Sequence, residues 1–140
     1  MDEKGRLKLP ADFQAFLKSI DATKVFVTSF DARIARIYPL HVWKDIETLL
    51  RDGSEDPDAA EDLWFTAMDL GADAEMDQQG RLLMPTELRR TLDLEDQQVF
   101  LEHYKGHINV FSKKIYDERK ERAQRNREQA LKAFERKGLL

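Results

Sequence analysis

Arginine is the side chain whose planar fork pairs with O6 and N7 of guanine in the major groove, and Arg6 and Arg81 occupy the same place in two nearly identical stretches. Asp2-Glu3-Lys4-Gly5-Arg6-Leu7-Lys8-Leu9-Pro10 returns as Asp77-Gln78-Gln79-Gly80-Arg81-Leu82-Leu83-Met84-Pro85, with Asp, Gly, Arg, Leu and Pro in register. Both arginines are base-reading candidates. Lys4 and Lys8 are compact charges better matched to phosphate. A carboxylate repels phosphate, so Asp2 and Asp77 are read as orienting the arginines or holding turn amides. Gly5 and Gly80 let the backbone turn tightly and approach a neighbour closely. Gln79 and Leu83 replace Lys4 and Lys8 in the second copy, which predicts fewer phosphate contacts there and a role mainly as scaffold or in subunit packing.

A single Asp-x-x-Gly-Arg is no more than a turn with a surface ion pair, worth little in stability. Chance rarely repeats it in register. The likeness continues with Asp12 against Glu87, Phe13 against Leu88, Leu17 against Leu92, Val25-Phe26-Val27 against Val99-Phe100-Leu101, and Ile37-Tyr38 against Val110-Phe111. The chain is an internal duplication, and units this short do not bury an apolar face without a neighbouring copy.

Other chemistry is poorly supported. His103 and His107 have the spacing of a helical zinc pair, but Gly106 puts them at a hairpin turn, where that spacing does not converge. No metal site and no cofactor are read. The chain has no Cys, hence no disulfide framework or thiolate site. With no nucleophile, base and orienter set and no phosphate loop, an enzyme is not expected.

Around the motifs, Arg6 to Leu9 alternates as a half-buried strand, and Pro10 is placed at the first position of a short helix carrying Phe13, Phe16, Leu17 and Ile20. Val25 to Ser29 and Arg33 to Tyr38 read as a hairpin turning at Phe30-Asp31-Ala32. Pro39 opens a helix with Leu40, Trp43, Ile46, Leu49 and Leu50 on one stripe, closed at Asp52-Gly53. Ser54 to Asp62 is read as an acidic loop before a second helical stretch ending at Gly71. Ala72 to Met76 reads as a strand, and Gln98 to Tyr104 with His107 to Phe111 as a second hairpin. Ala72-Asp73-Ala74-Glu75 precede Asp77, whereas Met1 alone precedes Asp2; either the first copy lacks this leading strand or the assigned start removes it. From Ser112, an expected N-cap, a helix runs almost to Gly138 and docks at its ends at most. Trp43 and Trp64 are expected as core or interface anchors.

The 140 residues suit one compact domain, or two half-domains sharing one core. Net charge is −4, but it is unevenly spread: residues 45–76 hold Arg51 as their one basic residue among eleven acidic ones, while residues 113–140 hold ten basic against five acidic. A partner of negative charge is therefore met by the first copy and the tail, with the connector turned away. No run approaches the ~18 apolar residues of a membrane span, and no signal-peptide core is present at the start. The expectation is a soluble, cytoplasmic, nucleoid-associated protein with no membrane partner and no small-molecule substrate.

Asp-x-x-Gly-Arg-Leu-x-Leu/Met-Pro, met twice with helical linkers, resembles the MraZ family of bacterial transcriptional regulators. The resemblance implies an α+β fold: two swapped-hairpin, AbrB- and SpoVT-like β repeats in one pseudo-two-fold β-barrel, with connecting helices and a long C-terminal helix. The expected divisions are residues 1–53 (first repeat), 54–71 (acidic helical connector), 72–116 (second repeat) and 117–140 (basic helix). It further implies binding of double-stranded DNA at direct repeats upstream of its own operon, in the division and cell-wall gene cluster, by a ring of identical subunits. On this reading Arg6, Lys4, Lys8, Arg81, Gly5 and Gly80 meet DNA. The alternative is a structural or partner-binding oligomeric module with weak or no DNA binding, its acidic connector pairing with basic tails of other subunits.

Overall fold

In the computed structural model, residues 1–53 and 55–139 are described. Among them, seven strands and five helices follow in the order β1 (Arg6–Lys8), α1 (Ala11–Ser19), β2 (Lys24–Thr28), β3 (Ala35–Pro39), α2 (Leu40–Asp52), α3 (Pro57–Leu70), β4 (Ala72–Glu75), β5 (Arg81–Leu83), α4 (Thr86–Thr91), β6 (Phe100–Tyr104), β7 (His107–Phe111) and α5 (Lys113–Glu135). The fold is α+β.

The two copies do not stand side by side; each completes the other. β1 pairs antiparallel with β5, Leu7 opposite Leu82, in a two-stranded ribbon. β4, from the second copy, pairs antiparallel with β2 of the first. The remaining sheet runs β4-β2-β3-β7-β6, all antiparallel. Pairing across copies is the expected outcome for a repeat too small to fold alone. The outer edge of β6, which matches β2 in the duplication, carries no strand among the described residues.

Both faces of the central strands are covered, which is why Val25 to Thr28 and His107 to Phe111 are buried throughout rather than alternately, while the edge strands β4 and β6 stay partly exposed. Val25, Val27, Ala35, Ile37, Ile108 and Val110 face a core shared with Leu7, Leu9, Leu82 and Met84 of the ribbon segments and Phe13, Leu17 and Leu88 of α1 and α4. Residues in the other parity, Phe26 and Tyr38, pack with Trp43 of α2 and Ala67 of α3. There Phe26 stacks on Trp43 at 4.2 Å between ring centres, and Trp43 on Trp64 at 6.4 Å. Both tryptophans thus anchor α2 and α3 to the sheet, as the sequence suggests. Gly71 leaves α3 where an added Cβ would lie 2.5 Å from the Ala67 carbonyl and 2.7 Å from Thr28 Oγ1. Glycine stands at the turn because nothing larger fits.

Among the described residues ribbon and sheet are separate ladders joined through side chains, and closure into one barrel is not detected. Pro10 and Pro85, which lack an N–H, follow the three-residue ribbon strands and end their pairing. Several expectations are corrected. Pro10, Pro39 and Pro85 sit one position before their helices, each with extended ψ, rather than at the first helical residue. The acidic stretch read as a loop to Asp62 is helical from Pro57, because Asp56 caps the amide of Ala59 at 3.1 Å and Pro57 fits the first turn; Ser54, also placed in that loop, lies outside the described residues. The hairpins turn as expected, the first on Asp31, whose carboxylate accepts the amides of Arg33 at 2.9 Å and Ile34 at 3.0 Å, the second on Lys105-Gly106, both at positive φ. Finally, α5 docks at one end alone. Tyr116 stacks on Phe100 at 4.1 Å, Ser112 caps the helix, and Leu131 and Phe134 near the far end are exposed.

Candidate nucleic-acid interface

Each loop before the ribbon is built by its aspartate. One oxygen of Asp2 accepts the amides of Lys4 at 3.0 Å and Arg6 at 2.8 Å, and the other accepts Arg6 Nε at 2.8 Å. Asp77 repeats this with the amides of Gln79 and Arg81 and with Arg81 Nε, all at 2.9 Å. The backbone matches too: Gly5 N–H donates to Asp2 O at 3.1 Å, and Gly80 N–H to Asp77 O at 3.0 Å. Gly5 and Gly80 hold φ of 78° and 76°, which a residue with a Cβ adopts only under strain. Five residues therefore make one rigid turn, twice.

The turn fixes what the arginine can do. Its Nε is spent on the aspartate, and among the described residues neither Arg6 nor Arg81 has another side-chain partner. Both terminal nitrogens of each fork stay available, and the side chains keep 30% and 25% exposure. Strand alternation sends Leu7 and Leu82 into the core, so Arg6, Lys8, Arg81 and Leu83 share the outer face of one ribbon. Arg6 stands across from Leu83, and Lys8 across from Arg81. Lys4 is exposed and without a partner among the described residues. Lys8, by contrast, is not a free cation: its Nζ donates to the carbonyl of Gln79, tying the first strand to the second loop.

The aspartates are held ionised. The Arg6 amide chiefly, then its side chain and the Lys4 amide, hold the Asp2 carboxyl below its ordinary value of 3.8, and the Arg81 amide does the same for Asp77. A carboxylate whose folded-state value is depressed contributes order that is fully present above 3.8 and is lost as pH falls through the lower folded value. The Nε–H resonances of Arg6 and Arg81 are accordingly expected to hold their positions on acidification to 3.8 and to collapse below it. Collapse at a higher pH would contradict the bonding described.

A family model described as "MraZ protein, putative antitoxin-like" matches residues 70–137. The chain is 40% identical over 91 residues to the "Transcriptional regulator MraZ" of Acidobacterium capsulatum, which covers 65% of this chain and 62% of that protein. It is 32% identical over 112 residues to the protein of the same name in Shewanella frigidimarina, with 79% of this chain and 71% of the relative covered. The chain belongs to the MraZ family. The Koribacter versatilis member is similar at 34% over 98 residues. In the Acidobacterium capsulatum comparison the match spans less than two thirds of the relative's length.

Within this MraZ chain the structure gathers Asp2, Lys4, Gly5, Arg6, Lys8, Asp77, Gly80 and Arg81 on the two turns and one ribbon. It keeps the histidines elsewhere: His103 packs against Phe16 at 4.2 Å and Phe13 at 5.8 Å, while His107 is buried against Tyr38, its Nε2 bonded to Asn109 at 3.0 Å. Two residues at the loops escape a reading by likeness. Gln14, of α1, lies against Gly80, and Arg89, of α4, against Gly5. They occupy matching positions in the duplication but differ in type, so comparison of the copies passes over them. No helix among the described residues is long and apolar enough to cross a membrane.

Proposed function

We propose that this chain is a DNA-binding transcriptional regulator and that the outer face of the β1–β5 ribbon reads the duplex. The observation that carries the reading is the ribbon itself: it puts Arg6 and Arg81, each with its fork held from behind by a carboxylate, on one exposed face. A two-stranded ribbon is narrow enough to enter the major groove, and an arginine fork presented edge-on is suited to guanine. The name carried by the relatives, transcriptional regulator, points the same way. Lys4 serves phosphate, and Lys8 sets the spacing of strand and loop before it serves DNA. The first loop is the stronger reader, since Gln79 takes the place of Lys4 in the second.

The finer reading, taken from the family resemblance of the motif, is a ring of identical subunits engaging direct repeats upstream of its own operon in the division and cell-wall gene cluster. Exposed Leu49, Leu63, Phe65 and Met68 on α2 and α3 support self-association through the connector helices. A ring makes weak single-subunit contacts sufficient through effective concentration. The test is a footprint on the segment upstream of the protein's own gene, repeated at rising salt. Spaced, repeated protection is expected, with affinity falling roughly in proportion to the phosphates neutralised on a logarithmic salt scale. Protection no different from that of a shuffled duplex sinks the proposal.

A further inference from the structure

The loop that presents Arg6 belongs to the first repeat, but the group seated against it comes from the second. Arg89 donates from Nη1 to the carbonyl of Lys4 at 3.0 Å, and its guanidinium lies where a Cβ on Gly5 would sit, 1.0 Å from Nη1. Its own position is fixed from three sides: Nη2 donates to Thr86 Oγ1 at 3.1 Å, the Glu95 carboxylate stands 3.6 Å from Nε, and the side chain is only 13% exposed. At 3.6 Å Glu95 balances the charge without bonding Nε, which has no hydrogen-bond partner among the described residues. The matching residues under the second loop are Ala11, Gln14 and Ile20. Gln14 crosses Gly80 in the same way, yet it bonds Leu9 of its own repeat at 2.7 Å and, among the described residues, makes no bond to the second loop. The two loops are alike in backbone and unlike in what props them.

We propose that Arg89 is the positioning residue of the first DNA-reading loop, a planar, fixed fork from the opposite repeat that clamps the Lys4-Gly5 peptide and so aims Arg6. The proposal rests on the reading of the ribbon as a DNA interface. It accounts for three features together: glycine at position 5 beyond the needs of φ, the Thr86 and Glu95 holders present in the second repeat alone, and the stronger reading assigned to the first loop. A fork is required, because an ammonium cannot hold a carbonyl and a hydroxyl in one plane while lying flat against glycine.

The variants are Arg89→Gln, which installs the side chain used at the matching position 14, and Arg89→Lys, which keeps charge and removes the fork. Each is measured for unfolding midpoint, for amide exchange at Gly5 and Arg6, and for affinity to a duplex of the segment upstream of its own gene against a shuffled duplex of equal length. Both are expected to exchange faster at Gly5 and Arg6 and to lose about tenfold in preference between the duplexes, the worth of one weakened base contact, with affinity for the shuffled duplex nearly unchanged. Thr86→Ala, which removes one holder from an exposed first turn, is expected to move the same readouts less, and it decides the matter if both Arg89 variants unfold. If the wild type discriminates and the variants discriminate as well as it does, or if Arg89→Lys restores full preference, the positioning role is overturned and the DNA reading stands. If the wild type shows no preference, both fall.

Discussion

Arg6→Ala is expected to lose about 1–3 kcal/mol of preference for its target duplex over a shuffled one, the worth of a good fork-to-guanine contact. Affinity for shuffled DNA should fall far less, and the unfolding midpoint should hardly move. The reasons are local. Among the described residues the Arg6 side chain keeps its terminal nitrogens free, is partly exposed, and bonds only Asp2, an exposed pair that adds little to stability. Truncation removes the fork and leaves the turn, since Asp2 still holds the amides of Lys4 and residue 6. Arg81→Ala should cost less, because Gln79 replaces Lys4 beside it. Competition binding with both duplexes at one salt concentration measures each difference. Equal loss on both duplexes would make Arg6 a phosphate contact and not a reader; no loss on either would remove the ribbon from the interface.

How much of this was open to reading from residues alone depended on the range of the interaction. The turns were legible because everything that makes them lies within five residues: a carboxylate, a glycine at positive φ and an arginine whose Nε closes the ring of bonds. The hairpins at Asp31 and at Lys105-Gly106 were legible for the same reason. The acidic stretch misled because Glu55, Asp56, Asp58, Glu61 and Asp62 crowd one short segment and look like loop, while Asp56-Pro57 is in fact a helix start. Composition speaks to solvation, and a cap speaks to structure. Arg89 and Gln14 were hidden by a different cause. The glycines they lie against are about a repeat away in sequence, and the duplication draws the eye to positions where copies agree, whereas a brace that strengthens one loop over its twin must sit where they disagree.

The same interdependence of the copies sets the other large effect. Leu82→Ala is expected to cost about 2–5 kcal/mol, the range for truncating a fully buried leucine whose surroundings cannot collapse. Collapse is hindered on every side: Leu82 is fully buried and pairs across the ribbon with Leu7, itself buried, and the core beyond is filled by strands of both copies. The cost should appear as one cooperative transition at lower denaturant, with both copies unfolding together. β4 of the second copy completes the sheet beside β2 of the first, and β5 completes the ribbon beside β1, so neither copy retains a closed core without the other. Tryptophan fluorescence follows the α2–α3 side, where Trp43 and Trp64 stack, and amide exchange at Leu9 and Met84, which donate to Gly80 and Gly5 of the opposite copy, follows the ribbon. Coincident midpoints are expected from the two probes. Separate midpoints would mean that the copies fold as independent halves, and the cross-copy pairing would then be a docking of finished units and not the source of their stability.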